Sequence, residues 1–93
     1  MTRVARRLAV HGRVQGVNFR AWVRDRARSR DVAGWASNEA DGSVEVWLEG
    51  EADAVAAVER AVTRPTHPPG HAHVERVDAT DAQPRGLSGF ERR

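Results

Sequence analysis

The chain has 93 residues, 15 basic and 13 acidic, for a formal net charge of +2 with histidine neutral. That length allows one modest core, the absence of cysteine removes disulfides, thiolate nucleophiles and cysteine zinc sites, and no apolar run approaches the ~20 residues of a membrane span. Every basic side chain is arginine, which excludes a lysine Schiff base and a Walker-type phosphate lysine, and so small a net charge is weak support for nucleic-acid binding.

Strand 1 is expected from about Arg6 to His11, with Leu8 and Val10 on one face. The glycine-bearing stretch Gly12-Arg13-Val14-Gln15-Gly16-Val17-Asn18-Phe19-Arg20 follows. Helix 1 is expected from about Phe19 to Ser29, burying Phe19, Trp22, Val23 and Ala27 and leaving Arg24, Asp25, Arg28 and Arg30 mostly in solvent. A strand, a glycine loop and a helix in that order leave unpaired N–H groups at the helix N-terminus, which attract anions. Arg20 adds a planar fork of donors that fits two oxygens of one phosphate or carboxylate. From chemistry alone the stretch reads as an oxyanion cradle, and an ordinary turn with a surface arginine is the plain alternative.

Strand 2 is expected from about Val32 to Asn38, followed by a turn at Asn38-Glu39-Ala40-Asp41-Gly42. Strand 3, Ser43 to Glu49, alternates: Val44, Val46 and Leu48 on one face, Ser43, Glu45, Trp47 and Glu49 on the other. That pattern predicts a sheet covered on one side only. Helix 2 is expected from about Glu51 to Thr63, burying Ala52, Val55, Ala56, Val58 and Val62, and Pro65 stops it. Strand 4 is expected from about His73 to Ala79 with Val74 and Val77 apolar, then a loop from Asp81 to Gly89, and Phe90 to Arg93 as a short edge strand.

The order β-α-β-β-α-β with right-handed crossovers predicts an α+β ferredoxin-like sandwich, an antiparallel sheet with two helices on one face, as a single domain over residues 1–93. Trp22 reads as core, while Trp35 and Trp47 read either as core or as cover for the open sheet face. His67, His71 and His73 read as solvent-exposed, and no metal site is expected.

The segments Gly12 to Arg20 and Gly34-Trp35-Ala36-Ser37-Asn38-Glu39-Ala40-Asp41-Gly42-Ser43-Val44-Glu45 together resemble the acylphosphatase family, in order and spacing and over nearly the whole chain. The resemblance implies hydrolysis of acyl phosphates to a carboxylate and inorganic phosphate. It also implies that Arg20 and the backbone N–H groups of Gln15, Gly16, Val17, Asn18, Phe19 and Arg20 hold the phosphoryl group, and that Asn38 orients the attacking water. The catalytic pair is thus Arg20 and Asn38, with no cofactor and a small-molecule acyl phosphate as the partner. The chemistry is coherent, because the leaving carboxylate needs no proton and phosphoryl transfer asks mainly for positioning and charge stabilisation.

Two positions depart from the family pattern. Ser37 precedes Asn38 where many relatives carry a basic side chain, and Arg92 stands where an apolar residue is expected two positions after Phe90. A non-catalytic anion-binding domain on the same scaffold is one alternative. An RNA platform is another, but three tryptophans, two phenylalanines and no tyrosine supply no run of sheet-face aromatics. A cytoplasmic location is expected, since the N-terminal basic residues precede no long apolar segment of the signal-peptide kind, and a monomer with no nucleic-acid or membrane partner is expected as well.

Overall fold

A computed structural model describes residues 2–93. Its elements run β1 (Arg3–Arg13), α1 (Phe19–Arg28), β2 (Ala33–Asn38), β3 (Val44–Glu51), α2 (Ala52–Thr63), β4 (His73–Ala82) and β5 (Phe90–Arg92). The five strands form one sheet in the order β4-β1-β3-β2-β5. Both β-α-β units cross on the same face, as the ferredoxin-like reading requires.

Strands β1 and β4 outrun their expected ends. Gly12 sits at a register shift between β1 and β4 with φ of 133°, and a Cβ there would strike the His73 carbonyl oxygen and lie 2.9 Å from the Glu75 nitrogen. Only glycine lets the two backbones approach so closely, which is why pairing continues to Arg13.

The main core lies between the sheet and the helices. Leu8, Val10, Val44, Val46 and Leu48 from the sheet meet Phe19, Val23 and Ala27 of α1 and Val55, Val58 and Val62 of α2. Fully burying each Val, Leu or Phe contributes about 1.5–3 kcal/mol. Ala56, expected in this stripe, is exposed, because Val55, Val58 and Val62 set the buried line of α2 and Ala56 projects away from it. Trp22 is only partly buried, at the core margin, with its ring 5.5 Å from that of Phe19.

Two expectations about the sheet are corrected. It is mixed, since β5 lies parallel to β2 with Gly34 opposite Phe90 and Ala36 opposite Arg92. After β4 the chain crosses the face away from the helices and enters β5 at the end of the sheet where β2 begins, so the two strands run the same way. The second face is also not simply polar and open. Trp35 and Trp47 stack there, with ring centroids 5.0 Å apart and planes 12° apart, and both are buried.

Beside the indoles the crossing segment covers Glu49, whose relative exposure is 0%. One carboxylate oxygen accepts hydrogen bonds from the Trp47 indole and the Arg85 amide, the other from the amides of Gly86 and Leu87 and from the Arg3 guanidinium, all at 2.8–3.2 Å. Burial pushes the Glu49 carboxyl up, but the Arg85 amide, the Trp47 indole, the Leu87 amide and Arg3 outweigh it and hold the group at about 2.

Candidate active site

The segment between β1 and α1 is built to expose main-chain N–H groups. Gly16 has φ of 75° and Asn18 has φ of 64°, both left-handed, so the chain coils tightly before Phe19 opens the helix. Asn18 is the N-cap but makes no side-chain capping bond, and the first helical amide to find its acceptor is that of Trp22, donating to the Asn18 carbonyl at 3.2 Å. The amides of Phe19, Arg20 and Ala21 are the first-turn donors that a helix leaves without internal partners. They carry the positive end of the α1 dipole.

A recess of about 120 Å³ opens at this point, lined by Val14, Gly16, Asn18, Phe19, Arg20 and Ala21 and, from β5, by Arg92. It is small enough for a single tetrahedral oxyanion, and no carboxylate lines it. Arg20 is half-buried at its side, and Nη1 of Arg20 donates to the main-chain oxygen of Arg93. Arg93 is itself fixed. Its amide donates to the Ala36 carbonyl at 2.8 Å, its guanidinium lies 4.3 Å from the Trp35 ring centroid, and its Nε pairs with Glu91 at 3.1 Å. The stacked indoles on the far face thus anchor the residue that orients Arg20.

Asn38 ends β2 opposite Val44 of β3, and Val44 pairs in turn with Val10 of β1, whose continuation is the glycine loop. Asn38 shares a strand face with Ala36, which is buried in the helix-side core, and so projects toward the layer that holds the loop. The loop and the turn are tied directly. The Gln15 side-chain amide donates to the carbonyl oxygens of both Glu39 and Ser43, each at 2.9 Å. Asp41 closes the turn by accepting from the Ser43 hydroxyl at 2.6 Å and the Ser43 amide at 2.9 Å, and those two bonds lower its pKa. A carboxylate stabilised in its ionised form is a weak base, which leaves Asp41 a turn residue.

Of the residues singled out in the sequence, Gly16, Asn18, Phe19 and Arg20 line the recess. Gln15 and Val17 belong to the same loop but do not line it, and Asn38 stands exposed on the adjoining turn, joined to the loop through Gln15. His67, His71 and His73 are exposed, and among the described residues no three histidine, aspartate or glutamate side chains gather as a metal site would require.

The acylphosphatase family model matches residues 6–92. The chain belongs to the acylphosphatase family. It is 45% identical over 85 residues to an acylphosphatase of Azorhizobium caulinodans, covering 89% of this chain and 87% of that one. It is likewise 45% identical over 89 residues to an acylphosphatase of Natronomonas pharaonis, covering 96% and 94%. The crystal structure of acylphosphatase from Bacillus subtilis superposes with a TM-score of 0.87 at 34% identity, covering 95% of this chain and 96% of that one.

Family membership puts weight on three features that a reading of motifs misses. The Gln15 side chain works as a tie between the two motifs, where the sequence suggests only a main-chain donor. Arg93 holds Arg20 through its main-chain oxygen. Arg92 lines the recess, and its signal is present in the sequence: two residues after the buried Phe90, alternation puts it on the helix side of the strand. No helix among the described residues is long and apolar enough to cross a membrane.

Proposed function

We propose that the chain hydrolyses acyl phosphates to a carboxylate and inorganic phosphate, with the phosphoryl group seated in the recess between the Gly16–Asn18 loop and Arg20. The observation that carries the reading is the convergence of a left-handed loop, the first-turn amides of α1 and Arg20 on one small recess free of carboxylates. Main-chain N–H groups and a guanidinium suit the phosphoryl oxygens, over which the charge of the transferring group is spread.

In this mechanism the Asn38 amide orients a water molecule in line with the phosphorus and the leaving oxygen. The water oxygen bonds to phosphorus, the P–O bond to the acyl group breaks, and the bonding pair leaves on a carboxylate. The water proton passes to a phosphoryl oxygen. The carboxylate departs without protonation, so the site needs no general acid, and none of the residues assigned to it supplies one. Gln15 keeps the Asn38 turn against the loop, so that the water and the phosphoryl group are positioned by one rigid unit.

Hydrolysis of benzoyl phosphate in excess EDTA by wild type and Asn38→Ala tests the assignment. Turnover that collapses in the variant, with inorganic phosphate still bound, is the expected result. An inactive wild type that binds phosphate would turn the recess into an anion-binding module, and equal activity in both proteins would remove Asn38 from the mechanism.

A further inference from the structure

We infer that Arg92 is a second guanidinium on the phosphoryl group, a substrate-binding residue that sets affinity for phosphate anions without contributing to the chemical step. The inference rests on the proposed use of the recess. Strand register places Arg92 opposite Ala36, on the helix side of the edge strand and two residues beyond the buried Phe90. From there Arg92, itself solvent-exposed, lines the recess of about 120 Å³ together with Arg20. The edge strand that carries it is pinned by β2 and α1: the Gly34 amide donates to the Gly89 carbonyl at 3.0 Å, the Arg93 amide to the Ala36 carbonyl at 2.8 Å, and Arg28 of α1 to the Phe90 carbonyl at 3.1 Å.

Its neighbours spend their charge elsewhere. Arg93 pairs with Glu91 and lies over Trp35, and Nη1 of Arg20 is committed to the Arg93 main-chain oxygen. Among the described residues no hydrogen bond or ion pair engages the Arg92 guanidinium, so its donors are available to a bound dianion. One phosphoryl group in so small a recess meets both arginines at once, and the second offsets the donor of Arg20 that the main chain has taken. Because Arg92 bears on the phosphoryl oxygens and not on the water or the acyl group, it acts on substrate and product phosphate alike. Uniform binding of that kind lowers KM and strengthens product inhibition without raising kcat.

The test compares Arg92→Gln, Arg92→Lys and, as a control for loss of one remote positive charge, Arg76→Gln on the opposite edge strand. Calorimetry with inorganic phosphate should show the dissociation constant rising roughly ten-fold in Arg92→Gln, as expected for losing a charge-assisted hydrogen bond. Arg92→Lys should fall between it and wild type, and Arg76→Gln should bind as wild type. With benzoyl phosphate, KM should rise in parallel while kcat stays within about two-fold, and the dependence of KM on salt should be shallower in Arg92→Gln. Unchanged phosphate affinity in Arg92→Gln, an equal loss in Arg76→Gln, or a fall in kcat at unchanged KM would overturn the assignment. Phosphate affinity that depends on Arg92 in a chain that hydrolyses nothing would sustain it while refuting the catalytic reading, since the calorimetric readout is independent of turnover.

Discussion

The side-chain amide of Gln15 bridges the carbonyl oxygens of Glu39 and Ser43 at 2.9 Å each, and so joins the loop between β1 and α1 to the turn that carries Asn38. Both carbonyls also accept backbone bonds, from the amides of Gly42 and Glu39 at 3.1 and 2.9 Å. Neither is left unsatisfied when the side chain is removed. Gln15→Leu should therefore cost about 1 kcal/mol of stability, a fall in Tm of roughly 4–8 °C for a domain this size. Its kcat should fall more, about ten-fold, because the turn loses its register against the loop. Calorimetric melting and steady-state kinetics on the same preparations check both, and an unchanged kcat would reduce the bridge to a purely structural contact.

Arg20→Lys should lose at least ~10²–10³ in rate. A lysine supplies a point charge but cannot donate to two phosphoryl oxygens while also holding the Arg93 main-chain oxygen. Steady-state kinetics on benzoyl phosphate give the answer, and near-full activity would contradict the role assigned to the fork.

Asp41→Asn should leave kcat within about three-fold of wild type. The amide oxygen of asparagine can accept the same bonds from Ser43, so the turn is preserved while any base function is lost. The proposed mechanism uses only an arginine, main-chain amides and an asparagine, none of which titrates near neutrality. The kcat profile should then be nearly flat from mildly acidic to neutral pH, and a sharp bell in the wild type that Asp41→Asn abolishes would identify a base at that position.

Glu49 makes stability depend on acid. Its carboxyl is held at about 2 in the fold against an ordinary value of 4.5. Between those values the unfolded chain binds a proton that the folded chain does not. The stabilisation is therefore complete above about 4.5, declines as pH falls, and is exhausted near 2. At 1.36 kcal/mol per pKa unit it is on the order of 3 kcal/mol. Urea unfolding from pH 7 down to 2.5 should show this loss, and Glu49→Gln should be less stable at pH 7 with a flatter acid limb. Parallel acid limbs in the two proteins would assign the dependence to other carboxylates.

The elements were legible in the sequence because their periodicities are strong. Val44, Val46 and Leu48 repeat at the strand period, and Val55, Val58 and Val62 at the helix period. The two motifs likewise pointed to Arg20 and to the loop that surrounds it. Glu49 was not legible as a buried group. Its cover comes from residues 85–87, a segment with no apolar rhythm of its own, and its solvation is replaced by main-chain donors that any sequence could supply. The parallel course of β5 was hidden for the same reason, since three residues set no direction and the crossing segment decides it. Gln15 and Arg92 act through side chains that reach other elements, and such reach depends on tertiary register.

Gly12 has a consequence beyond the register of β1. By letting the β1 and β4 backbones close on each other it extends the outer strand of the sheet to ten residues, one side of which has no neighbouring strand among the described residues. A long unpaired border of N–H and C=O groups is a template on which a second molecule can add by strand pairing. This border is studded with charge: Glu75, Arg76, Asp78 and Asp81 are all exposed along it, with Arg76 and Asp78 paired at 3.3 Å. Desolvating those groups against another backbone opposes strand addition, so the same run of polar residues that makes β4 a weak contributor to the core also guards the edge it forms.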